Sequence, residues 1–420
     1  MLSLFIFRPN TRGMRYGIGT YIKQLTNSLL KYSEVSVIIV NYHSLDYNEL
    51  KIINMRERLT EVFIPAAVMK YEYVYFKQKY AARIVDLLSF IVPNYNNIIF
   101  MVNYIDALSI VKILRLKYKF PIVSVIHSAQ WQSIYSGNKK KFIESWLNKS
   151  DFQDSRLQQV TNEKEMYELS DKVISVTSYM KEFVIKYYNI PESKVDVVQN
   201  GIDNTIFHIP DKKERIVIKE GLGFNKDEKI ILFSGRLDES KGISYLLESF
   251  SEVIKYYDGV RLVLVGEESG LTNINYYLTK CANIWGKVTF TGFIEYEKIL
   301  KFYQIADVGV IPSVYDHCPY VALEMIGHCI PVIISNTEGL NEILKKDQCI
   351  YLMPKVDNEG NISFDIKEIS KAILTLLNSD NLKGDIFVKY SSSLISSKFS
   401  DEQMSKKVVS TLMSINSVCV

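Results

Sequence analysis

Two doubly wound α/β domains, joined near the middle of the chain, are the architecture this sequence predicts. Three observations carry that expectation. The chain is 420 residues long, short apolar runs alternate with helical patterns through most of it, and turn and charge signals cluster between residues 204 and 227. A single hydrophobic core stops growing well below that length, so two domains of roughly 200 residues are expected. Alternation of strand and helix implies parallel sheets covered on both faces.

In the first half, strands fit residues 4–7, 35–40, 98–102, 122–126, 173–176 and 195–198. The helix after the first of them is marked by Ile22, Leu25 and Leu29, which recur on one face. The second half repeats the alternation, with strands at 230–233, 262–265, 288–291, 308–311 and 332–334. Between the halves lie Pro210, the charged run 211–215 and Gly221-Leu222-Gly223, which read as a join.

Composition narrows the function. Hydrophobic residues make up 47% and charged residues 23%, as in a soluble globular protein. A net charge of +3 is too small to make nucleic acid the expected partner. Five cysteines, an odd number with no Cys-x-x-Cys pair, suit a reducing, cytoplasmic setting and give no zinc-ligand spacing. The apolar start, Met1 to Phe7, meets Arg8-Pro9 at once and reads as a buried strand rather than a signal peptide. No stretch approaches the ~20 apolar residues of a membrane span. Attachment to the cytoplasmic face of a membrane stays open, because the stretch 70–80 and Lys139-Lys140-Lys141 combine basic and aromatic residues. The simpler reading of both is a solvated helix face.

In open parallel sheets ligands bind beyond the carboxyl ends of the strands, so the loops there are where chemistry belongs. Gly17-Ile18-Gly19 lies between the first strand and its helix, where glycine lets a backbone approach a ligand and a helix start favours anions. An ordinary tight turn explains it equally well, and the third glycine of a dinucleotide fingerprint is absent. Arg236 and Lys241 follow the strand at 230–233, as Ser234-Gly235-Arg236-Leu237 and Lys241-Gly242. A guanidinium fork and an ammonium point charge together suit a diphosphate, although two solvated surface cations are the plain alternative. Asp316 and Glu324 are separated by seven residues just past the strand at 308–311. Pro319 suits a helix start, which leaves the amides of Tyr320, Val321 and Ala322 for a phosphate. Two acids beside such a site would accept from sugar and ribose hydroxyls, although a capping Asp and a solvated Glu are the plain alternative. Gly266 and Phe293, closing two further strands, would line a nucleobase pocket; Gly339-Leu340-Asn341-Glu342 reads as another glycine-led helix start, and both stretches are open to being ordinary turns. His127 ends the strand at 122–126, where a lone histidine is structural or catalytic.

These motifs, taken in order, resemble the family-four retaining glycosyltransferases of the GT-B fold, the bacterial group 1 type. The match runs from Gly17-Ile18-Gly19 through His127, residues 173–178, Asn200-Gly201-Ile202-Asp203 and Gly235-Arg236-Leu237 with Lys241-Gly242. It continues through Asp316 and Glu324, Gly327-His328-Cys329-Ile330-Pro331-Val332-Ile333 and residues 338–343, and is most specific in the second half.

The resemblance implies two Rossmann-like domains facing a central cleft. Residues 1–205 would bind the acceptor, residues 206–397 the nucleotide-sugar donor, and a final helix at 398–420 would cross back to the first domain. It further implies that Arg236, Lys241, Tyr320 and Val321 hold the donor diphosphate and that Glu324 holds the ribose beside Gly266 and Phe293. Asp316 would hold the transferred sugar, His127 would act with these acids in catalysis, and Gly17 and Gly19 would line the loop near donor and acceptor. Three departures stand out: Asp316 replaces the usual Glu, Cys318-Pro319 replaces Phe-Gly, and Tyr16 replaces a glycine.

The function so implied is retaining transfer of a hexose-like sugar from a nucleotide diphosphate, a UDP-sugar by expectation, to a glycan, lipid-linked intermediate or peptide. No cofactor and no metal are expected, since no Asp-x-Asp motif is present and the two cations can neutralise the leaving diphosphate. The alternatives are a catalytically silent partner of another transferase, against which Arg236, Lys241 and Glu324 argue, and a sugar-nucleotide epimerase, for which no acid/base pair can be placed.

Overall fold

A computed structural model describes residues 1–10, 16–66, 74–104, 107–148, 155–268, 273–345, 348–379 and 385–416. The chain forms two compact units. Met1–Gln130, Ser145–Gly201 and Asp401–Val420 make the first, and Trp131–Glu144 with Ile202–Ser400 the second.

Among the described residues the first unit holds eight strands: β1 (Leu2–Pro9), β2 (Val35–Ser44), β3 (Lys51–Arg56), β4 (Leu59–Pro65), β5 (Ile98–Val102), β6 (Ile122–Ile126), β7 (Lys172–Ser175) and β8 (Val195–Val197). Their order is β3-β4-β2-β1-β5-β6-β7-β8, so the winding reverses at β1. Every pairing is parallel except β3 with β4. Leu4, Phe5, Ile6 and Phe7 have no exposed surface, as expected for a central parallel strand covered on both faces. The sequence reading lacks β3 and β4. β3 is an edge strand exposed along most of its length, so it has no buried face to imprint a period. The helix Asp401–Asn416 belongs to this unit and packs on the helix Gly17–Leu29, where the Ser28 and Ser405 hydroxyls lie 2.8 Å apart.

The second unit holds β9 (Lys229–Ser234), β10 (Val260–Val265), β11 (Val288–Phe290), β12 (Val308–Ile311), β13 (Val332–Ser335) and β14 (Ile350–Leu352), ordered β11-β10-β9-β12-β13-β14. All are parallel, and the winding reverses at β9. A short antiparallel hairpin, β15 (Lys355–Val356) and β16 (Ile362–Ser363), follows. Leu246, Leu247 and Phe250 of the helix Ile243–Val253 share one core with Ile369, Ile373 and Leu376 of the helix Ile366–Leu377. Among the described residues no helix is long and apolar enough to cross a membrane.

Asp307 pins the amino ends of this sheet. It is buried immediately before β12, and its carboxylate accepts the Ile230 amide at 2.9 Å and faces Arg215 at 3.1 Å, Lys229 at 3.5 Å and Lys219 at 3.8 Å. Lys219 is itself buried, so removing the acid strands a charge away from water. Asp307→Ala is expected to cost about 3 kcal/mol of stability, the lower end for breaking a buried pair. Urea unfolding followed by circular dichroism measures it, and a loss under 1 kcal/mol would mean that the cations are solvated.

Candidate functional site

The carboxyl edge of the second sheet brings its loops together, and glycines set how closely. Gly266, with φ +138, follows β10; a β-carbon there would lie 1.9 Å from the Gly235 carbonyl oxygen. Gly242, with φ +73, follows the turn Glu239–Lys241; a β-carbon there would lie 2.1 Å from the Pro312 carbonyl oxygen. The loops after β9, β10 and β12 therefore touch backbone to backbone, as only glycine permits.

That packing delivers Lys241 to Asp316. Its ammonium nitrogen lies 2.6 Å from Asp316 Oδ2, and both side chains are mostly withdrawn from solvent. The Ser313 hydroxyl donates to the same oxygen at 3.3 Å, and the His317 amide donates to Oδ1 at 3.0 Å. Arg236 behaves differently. Its side chain is 46% exposed, with Nε 3.7 Å from Asp238 Oδ2. Of the two cations expected to act alike, one is closely paired with a mostly buried acid, while the other is half-exposed and makes only a long contact with Asp238.

Past Asp316, Cys318 adopts φ +47, a left-handed conformation that costs a residue with a β-carbon on the order of 1 kcal/mol. Pro319 is the extended N-cap of the helix Tyr320–Gly327, so it stands just outside the helix rather than at the first helical position that the sequence suggests. The Ala322 amide donates to the Pro319 carbonyl at 3.1 Å, so it is not left for an anion. Tyr320 and Val321 form the first turn.

Glu324 is buried one turn into this helix and accepts from the Tyr303 hydroxyl at 2.7 Å. Burial raises its pKa, while hydrogen bonds from Tyr303 and Tyr296 pull the other way. Behind it His328 donates from Nδ1 to the Glu324 carbonyl at 2.9 Å and stacks on Tyr303 with ring centres 5.3 Å apart. The Phe207 ring meets His328 edge-on and occupies the space that a side chain at Gly327 would need. Desolvation takes the His328 pKa down to about 4, so this shelf is neutral near pH 7. The sequence reading did not single out Tyr296 and Tyr303. Their spacing of two helical turns on Tyr296–Ile305 was the available signal.

Across β9, Gly266 donates its amide to Gly292 at 3.2 Å, and Phe293 is 39% exposed on the turn after β11. Along one sheet edge the order is therefore Phe293, Gly266, then Arg236 and Lys241, then Asp316 with Tyr320, Val321 and Glu324. From β11 to β12 is three strand spacings, about 14 Å. Gly339-Leu340-Asn341-Glu342 is a glycine-led helix start, realised as a single 3-10 turn at Leu340–Glu342. Gly339, with φ +94, presses against the Asp316 carbonyl, so this stretch buttresses the acid's loop.

His127, Gly17 and Gly19 form a separate set in the first unit. His127 follows β6; its Nε2 lies 3.1 Å from Asn103 Oδ1, and the Tyr21 ring covers it edge-on at 4.6 Å. The residue keeps some surface, yet desolvation of the ring lowers its pKa to about 3. Gly17 and Gly19 do not sit in a loop ahead of the helix. They are its first turn, and a β-carbon at Gly17 would meet nothing within 4 Å among the described residues.

Among the described residues no group of three His, Cys, Asp or Glu side chains is arranged to hold a metal. Part of the stretch 70–80, residues 70–73, lies outside the described residues. In the basic run at 139–141, Lys140 donates to the Asn358 carbonyl at 2.9 Å and Lys141 reaches Glu359 at 3.5 Å, so two of the three lysines serve the hairpin.

Comparison with known proteins adds the family. The model described as Glycosyl transferases group 1 matches residues 214–386, and that described as Glycosyltransferase Family 4 matches residues 16–205. An uncharacterized glycosyltransferase of Methanocaldococcus jannaschii is 36% identical over 228 residues, covering 53% of this chain and 57% of that protein. D-inositol 3-phosphate glycosyltransferase of Segniliparus rotundus is 29% identical over 187 residues, 44% of this chain and 41% of that protein. The chain thus spans about half the length of the curated relatives it matches. In fold it is similar to sucrose-phosphate synthase from Thermosynechococcus elongatus, with TM-score 0.78 and 19% identity over all of both chains. It is also similar to Anabaena HepE in complex with UDP and glucose, with TM-score 0.73 and 14% identity over 99% of this chain and 100% of that one.

Proposed function

This chain belongs to the group 1 glycosyltransferases of the GT-B fold, and on that premise we propose that it moves a hexose-like sugar from a UDP-sugar to an acceptor with retention of configuration. The observation that carries the reading is the ion pair of Lys241 with Asp316 at 2.6 Å, beside an exposed Arg236, on the carboxyl edge of the second sheet. A cation and an acid held together there can each turn to one half of a sugar diphosphate.

In this reading Arg236 and Lys241 bind the diphosphate with the helix start at Tyr320 and Val321, and they stabilise the negative charge that grows on it as the glycosidic bond breaks. Asp316 accepts from hydroxyls of the transferred sugar. Glu324, steadied by Tyr303, accepts from the ribose, and the nucleobase lies along Gly266 and Phe293. The roughly 14 Å from β11 to β12 is on the order of the length of such a donor. Structures of HepE with UDP and glucose, and with UDP-glucose, support UDP as the nucleotide. The first unit, with His127, Gly17 and Gly19, takes the acceptor. No side chain of this set is placed as a nucleophile toward the sugar, so the departing phosphate itself is assigned the acceptor's proton.

The test is transfer from UDP-hexoses to simple acceptors, followed by proton NMR of the anomeric signal. An α-linked product from an α-linked donor is expected, and a β-linked product would overturn retention. Turnover is further expected to persist in excess EDTA, because two protein cations carry the neutralising role; loss that manganese or magnesium restores would contradict it. Arg236→Ala is expected to weaken UDP by about 1.5–3 kcal/mol, the range for hydrogen bonds to charged groups, while uridine binds the variant and the parent alike. Calorimetric titration compares the two ligands, and equal losses would instead point to a disturbed fold.

A further inference from the structure

Trp131–Glu144 lies between two stretches of the first unit in sequence, yet it packs with the second unit. Its contacts fall on the residues that flank Asp316. Gln132 is 1% exposed, and its Oε1 accepts from His317 Nε2 at 2.5 Å. The hydroxyls of Ser240 and Ser133 meet the Tyr315 phenol. Gly137 turns with φ +76 directly against the Tyr315 ring, which a β-carbon would approach to 3.2 Å. The far end is tied down as firmly. The Asn138 amide donates at 3.0 Å both to the Glu359 carbonyl and to Asn361 Oδ1, in the turn between β15 and β16. Gly360 leaves room for that approach. Trp131 stacks on Phe142 and closes the segment on itself.

A buried amide–imidazole contact is costly unless direction matters, since an apolar pair of equal volume would fill the space more cheaply. Here direction has a consequence. His317 supplies the amide that donates to Asp316 Oδ1, and Gly339 backs both residues. Fixing the His317 ring therefore fixes the backbone that aims the carboxylate.

We propose that Trp131–Glu144 is a clasp that sets the position of Asp316, with Gln132 as its positioning residue acting through His317. This rests on the reading of Asp316 as the acid that holds the donor sugar. Gln132 touches no donor atom; it decides where the sugar's acceptor oxygen stands.

Gln132→Met keeps volume and removes the oxygen, whereas Gln132→Glu returns an acceptor of equal reach. With a UDP-hexose that the parent uses, Gln132→Met is expected to lower kcat between about tenfold and a hundredfold, as misplacement of a reacting group by a fraction of an ångström to 1 Å does. The Kd for UDP should change less than about twofold, and Gln132→Glu should recover most of the rate. Hydrogen exchange of the peptide spanning residues 313–319 should quicken in Gln132→Met alone. Parent-like kcat in Gln132→Met, a matching loss of UDP affinity, or unchanged exchange would each overturn the clasp. If the parent turns over no nucleotide sugar while the exchange still quickens, the clasp stands and the functional reading fails.

Discussion

Asp316→Asn is expected to slow sugar transfer about a hundredfold and, at the same time, to tighten binding of free UDP. The first effect follows if the carboxylate's contact with the sugar strengthens toward the transition state, at ~1.36 kcal/mol per tenfold. The second comes from the 2.6 Å pairing with Lys241. In the unliganded site that ammonium is held by Asp316, so a diphosphate must compete with the acid for it. Removing the acid's charge frees the cation, and a gain of about 1 kcal/mol is expected for a pair that is partly screened by solvent. The assignment of Asp316 to the sugar that the family resemblance implies, taken by itself, predicts almost no change in UDP affinity. Calorimetry with UDP and stopped-time assays with the donor separate the two effects. A variant that loses UDP affinity would mean that Asp316 organises the phosphate site rather than competing with it.

Glu324→Gln should instead weaken UDP and UDP-sugar alike, by about 2 kcal/mol for a charge-assisted hydrogen bond to the ribose. Burial raises the Glu324 pKa, so the ionised form that accepts best is lost at a higher pH than for an ordinary carboxylate. UDP affinity of the parent should therefore fall on acidification at a higher pH than an ordinary carboxylate would give, and Glu324→Gln should lack that step. The sign for stability is opposite. A carboxyl whose pKa is raised by folding destabilises the fold at every pH above the folded value and relieves it as pH drops. Glu324→Gln is thus expected to raise the thermal midpoint of the unliganded protein near pH 7. A lower midpoint would show that the bonds from Tyr303 and Tyr296 outweigh desolvation.

Legibility in the sequence followed burial and locality. β5, β6 and β12 have the limits that their apolar runs suggest, because strands buried on both faces read as unbroken hydrophobic stretches. β3, exposed, and β14, only three residues long, left no such trace. Arg236 and Asp316 stood out because each lies a few residues past a strand end, and Lys241 and Glu324 because they follow on in the same connections. The pairing of Lys241 with Asp316 did not, since it depends on the close approach that Gly242 allows to Pro312. Tyr303 and Gln132 were hidden for the same reason. Their partners lie 21 and 185 residues away, and the helical spacing of Tyr303 from Tyr296 does not by itself point to Glu324.

A crystal structure with UDP tests the central claim most directly. The account predicts the diphosphate between Arg236 and Lys241 at the start of the helix Tyr320–Gly327. Lys241 would have turned from Asp316 toward the phosphates, the ribose would lie on Glu324, and the base would lie along Gly266 and Phe293. UDP bound elsewhere, or bound with neither cation on its phosphates, would contradict it.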